Sequence, residues 1–558
     1  MDLSVNGLHC IDCPSNWFCN GSRRPGSEGG KLRARRFDRT SGRRAFEPCQ
    51  FYIGYSIAFG VAKPLSSHAP VKNLLVPELS STARDAAILP LVVDLDGTFL
   101  KVDSLFETFA CGLFANPLRS LLALVELRNG IAAFKQRLTR VAQPDVDSFP
   151  VREDLLAYLE QEARTGREVH LATAADLVIA LRVAERFPIF KSVNGTSGDL
   201  NLKGQNKADR LLQQFPGGFV YAGDSRADLP VWRSAKAAVV VSSGRSQVGA
   251  VEAEGIKVER SFSDTPHYRA AWLKAFRPHQ WAKNLIVLVP VALGWRDVTL
   301  EGLLRTLVMV GLLCLVASLT YLVNDIADLS SDRKHWSKRR RGFASGAIPV
   351  RDGLLAVGAI LPVACIAALL VSPPAGLCLL LYVATTLGYS FGWKRIPLFD
   401  TFIIGLLFTI RILIGIAAAD LVPSAWLLTF SMFFFFSLAL AKRHTEILRA
   451  AEHGLQKLEG RGYQAGDESL TLAFGSAASM ASIIIVVLYL VEEIFARQIY
   501  HTPAWLWVAP IAIFLFSCRI WVLSHRGRMT DDPVAFALRD NVSLGLGVLV
   551  AAAILLAL

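Results

Sequence analysis

The stretch Tyr321-Leu322-Val323-Asn324-Asp325-Ile326-Ala327-Asp328-Leu329-Ser330-Ser331-Asp332 ends a long apolar run with three carboxylates. Asp325, Asp328 and Asp332 recur at spacings of three and four, so on a continuing helix they would lie on one face. Carboxylates are costly beside a bilayer unless they bind something, and their oxygens are ligands for a hard cation. Solvated carboxylates at a helix end are the simpler alternative. We predict that these three residues bind Mg²⁺, which in turn holds a phosphorylated substrate.

Similar apolar runs fill the second half of the chain. The 558 residues are 52% hydrophobic, and their mean hydropathy of +0.38 is too high for a protein that is soluble throughout. Segments of about 20 apolar residues alternate with short charged loops, which predicts about nine transmembrane helices. The predicted spans are residues 283–297, 303–323, 354–372, 375–391, 401–419, 424–441, 472–491, 504–523 and 541–558.

The net charge of +12 is carried largely by the N-terminal tail and alternate membrane loops. Lys and Arg gather in the loops after the second, fourth, sixth and eighth spans, and such loops tend to face the cytoplasm. We therefore expect a multi-pass protein of the inner (plasma) membrane, with its soluble part and active-site loops in the cytoplasm. The basic residues do not alternate with aromatic ones along a groove, so nucleic-acid binding is not expected.

Composition divides the chain into three regions. Residues 1–80 are rich in Gly, Arg and Ser, and we expect them to be disordered or an over-extended start. Residues 81–265 are predicted to form an α/β domain with a Rossmann-like parallel sheet, and residues 266–558 an all-α membrane bundle. In the α/β region, apolar strand candidates end directly before Asp94, Thr173 and Asp224. Ligands bind at this edge of a parallel sheet.

The polar residues at these strand ends resemble, in order, the four motifs of the haloacid-dehalogenase-like phosphatases. The matching segments are Asp94-Leu95-Asp96-Gly97-Thr98, Thr173, Lys207 and Gly223-Asp224-Ser225-Arg226-Ala227-Asp228. The resemblance implies that the carboxylate of Asp94 is a nucleophile that forms an aspartyl-phosphate. Asp96 would serve as general acid and base.

The same resemblance assigns the remaining groups of the phosphatase site. Thr173 and Lys207 would bind the phosphoryl group, and Asp94, Asp224 and Asp228 would hold Mg²⁺. Residues 99–167 carry helical signals and would form a cap over the site, which favours a small phosphate ester as substrate.

The pattern Asn324-Asp325-x-x-Asp328-x-x-x-Asp332 is similar to the first motif of the UbiA-type prenyltransferase superfamily. The segments Arg277-Pro278-His279-Gln280-Trp281-Ala282-Lys283-Asn284 and Asp531-Asp532-Pro533-Val534-Ala535-Phe536 resemble the branch that contains decaprenyl-phosphate phosphoribosyltransferase. The resemblance implies an Mg²⁺-dependent membrane transferase. Asp325 and Asp328 would be catalytic, and with Asp332 they would hold Mg²⁺ and the diphosphate of the donor.

The chain departs from most of the superfamily at the second acidic motif. Lys442, Arg443 and Glu446 stand where an Asp-x-x-x-Asp motif is usual. One metal-bound diphosphate and one bare phosphate suit such a site, as in transfer of 5-phosphoribose from phosphoribosyl diphosphate to a polyprenyl phosphate. The residues expected to orient the phosphates are Asn324, Lys338, Arg340, Tyr389, Lys394, Lys442 and Arg443.

Two other functions compete with this interpretation. An aromatic or quinone-precursor prenyltransferase would use the same carboxylates with a polyprenyl diphosphate donor. A transporter or membrane scaffold with a regulatory phosphatase-like module would also explain the spans. A transporter should carry polar groups at mid-depth in the membrane, and the predicted spans have few polar residues there. The fusion itself suggests consecutive steps, in which the phosphatase removes the 5-phosphate of the lipid-linked product.

Overall fold

The computed structural model describes residues 88–198, 200–242, 245–263, 268–458, 461–496, 500–529, 533–537 and 539–558. The region predicted to be an N-terminal extension, residues 1–80, lies outside these ranges, as do Asp531 and Asp532. The described residues belong to one compact unit, which contains both an α/β part and a helical part. The predicted domain boundaries therefore stay predictions.

The α/β part is built on six parallel strands in the order β3-β2-β1-β4-β5-β6. The strands are β1 Leu91–Val93, β2 Val169–Asp176, β3 Phe190–Thr196, β4 Val220–Gly223, β5 Ala237–Ser242 and β6 Val258–Ser263. Val93, the last residue of β1, is in register with Leu171 of β2 and Ala222 of β4. β1 and β4 therefore end side by side, whereas β2 continues to Asp176. The predicted parallel sheet is confirmed.

Helices cover both faces of this sheet, which is why its central strand is apolar on both sides. Leu91 and Val93 pack in one core cluster and Val92 in the other, and all three are fully buried. The helices are α1 Ser104–Ala115, α2 Pro117–Ala123, α3 Ile131–Val141, α4 Glu153–Arg164, α5 Leu177–Arg186, α6 Gln205–Gln214, α7 Leu229–Ser234 and α8 Arg245–Ala253. The ammonium group of Lys135 on α3 reaches the carbonyl of Ala174 at 2.6 Å, so α3 lies against the end of β2.

The helical part contains seven helices that are long and apolar enough to cross a membrane, within the described residues. These segments are Leu300–Ala327, Val350–Val371, Pro373–Phe391, Phe399–Ala418, Ala425–Glu452, Ala465–Phe495 and Pro503–His525. The α-helices of this part are α9 Tyr268–Phe276, α10 Val289–Leu293, α11 Leu300–Ala327, α12 Leu329–Lys334, α13 Val350–Val371, α14 Pro373–Phe391, α15 Phe399–Ala418, α16 Ala425–Glu452, α17 Glu468–Tyr489, α18 Val508–His525, α19 Pro533–Ala537 and α20 Asn541–Ala557.

The predicted count of nine spans is not confirmed. Instead of a helix over 283–297, the chain forms a 3₁₀-helix at Pro278–Leu288 and then the five-residue α10. Proline lacks a backbone N–H, so Pro290 at the start of α10 interrupts the helical hydrogen bonds. The last predicted span is α20, which has 17 residues and is shorter than the other seven.

Candidate active sites

Three carboxylates converge where β1 and β4 end. One oxygen from each of Asp94, Asp224 and Asp228 lies within 4.8 Å of the other two, which is the spacing of metal ligands. Asp94 follows β1 and Asp224 follows the neighbouring β4, so the parallel register places them together. Gly97 has a φ of +76°, and a Cβ there would collide with the carboxylate of Asp224. Glycine is therefore required at this turn.

Lys207 is the cation of this cluster. It is only 2% exposed, and its ammonium group donates to the carboxylate of Asp94 at 2.9 Å and to the hydroxyl of Tyr221 at 2.7 Å. One lysine does not balance three carboxylates. Burial raises the pKa of Asp94 to about 6 and, helped by the neighbouring carboxylates, that of Asp224 to about 7. A divalent cation fits a site of this charge and ligand spacing.

Asp96 and Thr173 lie at the same edge of the sheet. Asp96 accepts hydrogen bonds at 2.9 Å from the backbone N–H and the hydroxyl of Ser104, the first residue of α1. Burial raises its pKa well above the usual range, which suits a general acid. The hydroxyl oxygen of Thr173 accepts from the N–H of Ala175 at 3.0 Å. The phosphatase roles of these residues stay predictions.

In the membrane part, the acidic segment does not lie on one unbroken helix. α11 ends at Ala327 and α12 starts at Leu329, so Asp328 sits at the break. Asp325 and Asp332 are both buried and share one guanidinium group. Arg341 donates to Asp325 at 2.9 Å and to Asp332 at 2.7 Å, and Arg277 forms a second ion pair with Asp325. Neither arginine was among the predicted site residues.

Asp328 has a separate set of partners. Its carboxylate forms an ion pair with Lys394 and accepts a hydrogen bond from the amide of Asn324 at 3.2 Å. In the ranges that the structure describes, Asp325, Asp328 and Asp332 do not form a group with oxygens within 4.8 Å of one another. Their oxygens have the chemistry of Mg²⁺ ligands, but each carboxylate is in contact with a cation. Joint metal binding by the three stays a prediction.

A cavity of about 640 Å³ opens beside this segment. Its charged lining is dominated by cations, with Glu446 as the single carboxylate among the described lining residues. The basic residues are Arg277, Lys283, Arg411, Lys442, Arg461 and Arg539. Three of the predicted substrate-binding residues, Asn324, Tyr389 and Lys442, line this cavity. Such a lining is complementary to a ligand with several negative charges.

The described lining of this cavity does not include the other residues predicted to orient the phosphates, namely Lys338, Arg340, Lys394 and Arg443. Arg340 lines a second cavity of about 700 Å³, together with Asp325 and Arg341. The ammonium group of Lys338 is 3.9 Å from Asp332. Arg443 is only 2% exposed and is paired with Asp400 at 2.9 Å and with Glu446. It therefore orients Glu446, and its direct contact with a substrate stays a prediction.

Arg411 and Tyr382 line the cavity but were missed by sequence reasoning. The spans were expected to have few polar residues at mid-depth. Arg411, however, is the thirteenth residue of the 20-residue α15 and so lies near the middle of that helix. The available signal was a single basic residue inside an apolar run, which is expensive in a membrane and is commonly functional. Tyr382 on α14 carried no comparable signal, because a tyrosine in an apolar helix is ordinary.

A buried ion pair joins the α/β part to the helical part. Arg333, which follows Asp332 in sequence, donates to both carboxylate oxygens of Glu107 on α1, at 2.6 and 3.1 Å. Both side chains are at most 5% exposed. Glu107 lies one turn beyond Ser104, which holds Asp96. The contact therefore connects the two candidate sites through α1.

Replacing Glu107 with Gln is expected to destabilise the protein by about 3 kcal/mol, because it leaves a buried arginine without its counter-charge. Thermal unfolding of the purified protein measures the loss. Glu254→Gln is the matched control, since Glu254 pairs with Arg233 in solvent and should show no measurable change. Replacing both Glu107 with Leu and Arg333 with Met should restore stability. Equal stability of Glu107→Gln and wild type would show that the pair does not hold the contact.

Comparison with known proteins matches the helical part of the chain to one family. Residues 285–542 match the UbiA prenyltransferase family, as the Asn324–Asp332 pattern predicted. An uncharacterised protein of Sinorhizobium fredii is 41% identical over 470 residues, which cover 84% of this chain and 91% of that protein. Decaprenyl-phosphate phosphoribosyltransferase of Mycobacterium tuberculosis is 30% identical over 278 residues, which cover 49% of this chain and 89% of that protein.

A solved UbiA homologue from Archaeoglobus fulgidus, bound to GPP and Mg²⁺, is 15% identical; the match covers 51% of this chain and 98% of that one, at a TM-score of 0.40. The resemblance of the α/β part to phosphatases stays a prediction. The family match and the seven apolar helices together identify an integral membrane protein. The chain belongs to the UbiA prenyltransferase family.

Proposed function

We propose that the membrane part transfers 5-phosphoribose from phosphoribosyl diphosphate to a polyprenyl phosphate. The observation that carries this proposal is the charge of the 640 Å³ cavity, where six basic residues meet one carboxylate. The proposed donor carries a diphosphate and a 5-phosphate, and the acceptor carries one phosphate. Their negative charges are complementary to this basic lining. The similarity to decaprenyl-phosphate phosphoribosyltransferase supports the same substrates.

In this reaction a phosphate oxygen of the lipid attacks the anomeric carbon of ribose. The bond from that carbon to the diphosphate oxygen breaks, a new carbon–oxygen bond to the lipid phosphate forms, and pyrophosphate leaves. The attacking phosphate is already an anion, so the step requires no general base. The protein contributes by orienting both phosphates and by stabilising the charge on the leaving group.

Two sets of side chains divide this work. The carboxylates of Asp325, Asp328 and Asp332 are complementary to a metal ion, and the cations beside them are complementary to phosphates. Mg²⁺ held by the carboxylates would neutralise the charge that develops on the diphosphate. Asn324, Tyr389, Lys394 and Lys442 would orient the phosphates. Lys338 and Arg340 would support them from the segment between α12 and α13, and Arg443 from α16.

The experiment that tests the proposal compares two donors with the purified full-length protein. Labelled phosphoribosyl diphosphate with polyprenyl phosphate should yield a phosphoribosylated lipid and pyrophosphate. Polyprenyl diphosphate with 4-hydroxybenzoate should yield no prenylated aromatic. The opposite result would establish the aromatic prenyltransferase alternative, in which the same carboxylates serve a carbocation-forming donor. Mass spectrometry of the lipid product identifies which reaction has occurred.

For the α/β part we propose a phosphatase that removes the 5-phosphate of the lipid-linked product. Asp94 would attack phosphorus, Asp96 would protonate the departing sugar oxygen, and water would then release phosphate from the aspartyl-phosphate. The ion pair between Glu107 and Arg333 supports a shared pathway, because it attaches this part to the acidic segment. We propose that both sites face the cytoplasm at the inner membrane, as the basic loops indicate.

A further inference from the structure

Arg411 is held rigidly inside the membrane part. Its side chain is 5% exposed, and each nitrogen of the guanidinium group makes one hydrogen bond. Nε donates to the amide oxygen of Asn284 at 3.0 Å, one terminal nitrogen donates to the carbonyl of Leu407 at 2.8 Å, and the other to the hydroxyl of Tyr382 at 2.9 Å. Five N–H groups are available, so two remain for another acceptor.

These three partners are neutral, and this distinguishes Arg411 from other arginines in the same part. Arg443 is paired with Asp400 and Glu446, Arg333 with Glu107, and Arg519 with Asp540. Across the described ranges, Arg411 has no ion pair with a carboxylate. A full positive charge in an apolar span is expensive without a counter-charge. The protein thus keeps a cation in place whose negative partner is not one of the described side chains.

The surroundings of Arg411 limit what this partner can be. Arg411 lines the 640 Å³ cavity together with Tyr382, Leu407 and Phe408. Asp400, near the start of α15, precedes it by eleven residues, which is about 16 Å along a helix. The cavity therefore extends from the charged loops to about the middle of a bilayer. An anionic group that belongs to a substrate can reach this depth through the cavity.

We propose that Arg411 binds a phosphate monoester group without a metal ion. Its planar fork, held by Asn284 and Tyr382, leaves N–H groups for phosphate oxygens, and guanidinium geometry matches phosphate. Two groups of the proposed reaction have this chemistry, namely the phosphate of the polyprenyl acceptor and the 5-phosphate of the ribosyl donor. The assignment to one of these substrates rests on the proposed function, whereas the phosphate site itself does not.

Binding of two probes to the full-length protein in lipid nanodiscs tests the proposal. Geranyl phosphate represents the acceptor and ribose 5-phosphate represents the donor, and both are titrated calorimetrically in the presence of EDTA. Wild type should bind at least one probe, and Arg411→Gln should weaken that binding by about 30-fold. Arg411→Lys keeps the charge but loses the fork, so about a 10-fold loss is expected. Arg519→Gln, an arginine variant outside the cavity, should bind like wild type.

The probe that loses affinity identifies the source of the phosphate. Unchanged binding in both Arg411 variants, or binding of neither probe by wild type, would overturn the proposal. Arg411→Lys keeps the test decisive if Arg411→Gln does not fold. If wild type fails to transfer phosphoribose but its phosphate binding depends on Arg411, the proposed function is wrong and the phosphate site stands. If transfer occurs and the Arg411 variants bind normally, only the phosphate site is wrong.

Discussion

Replacing both Asp325 and Asp328 with asparagine is expected to reduce phosphoribosyl transfer by about 10³-fold. The change removes two negative charges from the group that we propose holds Mg²⁺. Asparagine keeps a carbonyl oxygen in place of each carboxylate, so Lys394 and Arg341 retain a hydrogen-bond acceptor. Release of pyrophosphate from labelled phosphoribosyl diphosphate measures the rate. The effect should appear mainly in kcat, because the Mg²⁺ that these carboxylates would hold stabilises the charge of the leaving group in the transition state.

The matched control is Asp420→Asn. Asp420 lies just beyond the other end of α15, where it pairs with Arg305 and is exposed. Its φ of +54° is a conformation that asparagine accepts well, so the variant should fold and transfer phosphoribose at the wild-type rate. If the double variant of Asp325 and Asp328 transfers as fast as this control, the acidic segment has no part in the reaction.

The Asp94→Asn variant is expected to lose phosphatase activity by at least about 10³-fold, because an amide does not form the acyl-phosphate. Its amide oxygen can still accept from Lys207, so the cluster should keep its fold. Transfer should continue at the wild-type rate, and the lipid product should accumulate with its 5-phosphate. Mass spectrometry of the lipid fraction distinguishes the phosphorylated product from the dephosphorylated one.

Asp209→Asn is the control for this experiment, since Asp209 is exposed on α6 and outside the cluster. It should give the same lipid products as wild type. If Asp94→Asn also yields only the dephosphorylated lipid, the α/β part does not act on the product of the membrane part. If neither wild type nor the variant removes the 5-phosphate, the two activities are not consecutive.

The parallel sheet and most of the membrane helices could be predicted from the sequence, because both depend on local patterns. β1 consists of three consecutive apolar residues, Leu91, Val92 and Val93, so both faces of this strand are apolar. This pattern is typical of a strand that is covered on both faces. Hydropathy alone located seven helices of membrane-spanning length. The predicted span over 283–297 is not confirmed, because hydropathy measures apolarity and does not distinguish a continuous α-helix from the 3₁₀-helix and short α10 found there.

The carboxylate cluster of the α/β part was also predictable in outline. Asp94 and Asp224 follow neighbouring parallel strands, so their meeting follows from the topology. The hydroxyl of Tyr221, which lies between Lys207 and Asp228, was not predictable. A tyrosine in a buried strand has an ordinary structural explanation, and only the packing of α6 on the sheet brings Lys207 to it.

By itself, the sequence determined that carboxylates stand at the end of a membrane helix and that cations replace the second acidic motif. The tertiary structure alone decided how these charges are paired. Arg341 binds both Asp325 and Asp332, and Lys394 forms an ion pair with Asp328. Arg411 donates hydrogen bonds to neutral groups such as the amide of Asn284. Periodicity describes neighbours within one helix, whereas ion pairs between segments far apart in the chain depend on how the helices pack. That packing sets the charge of the cavity, and with it the ligand that the cavity can hold.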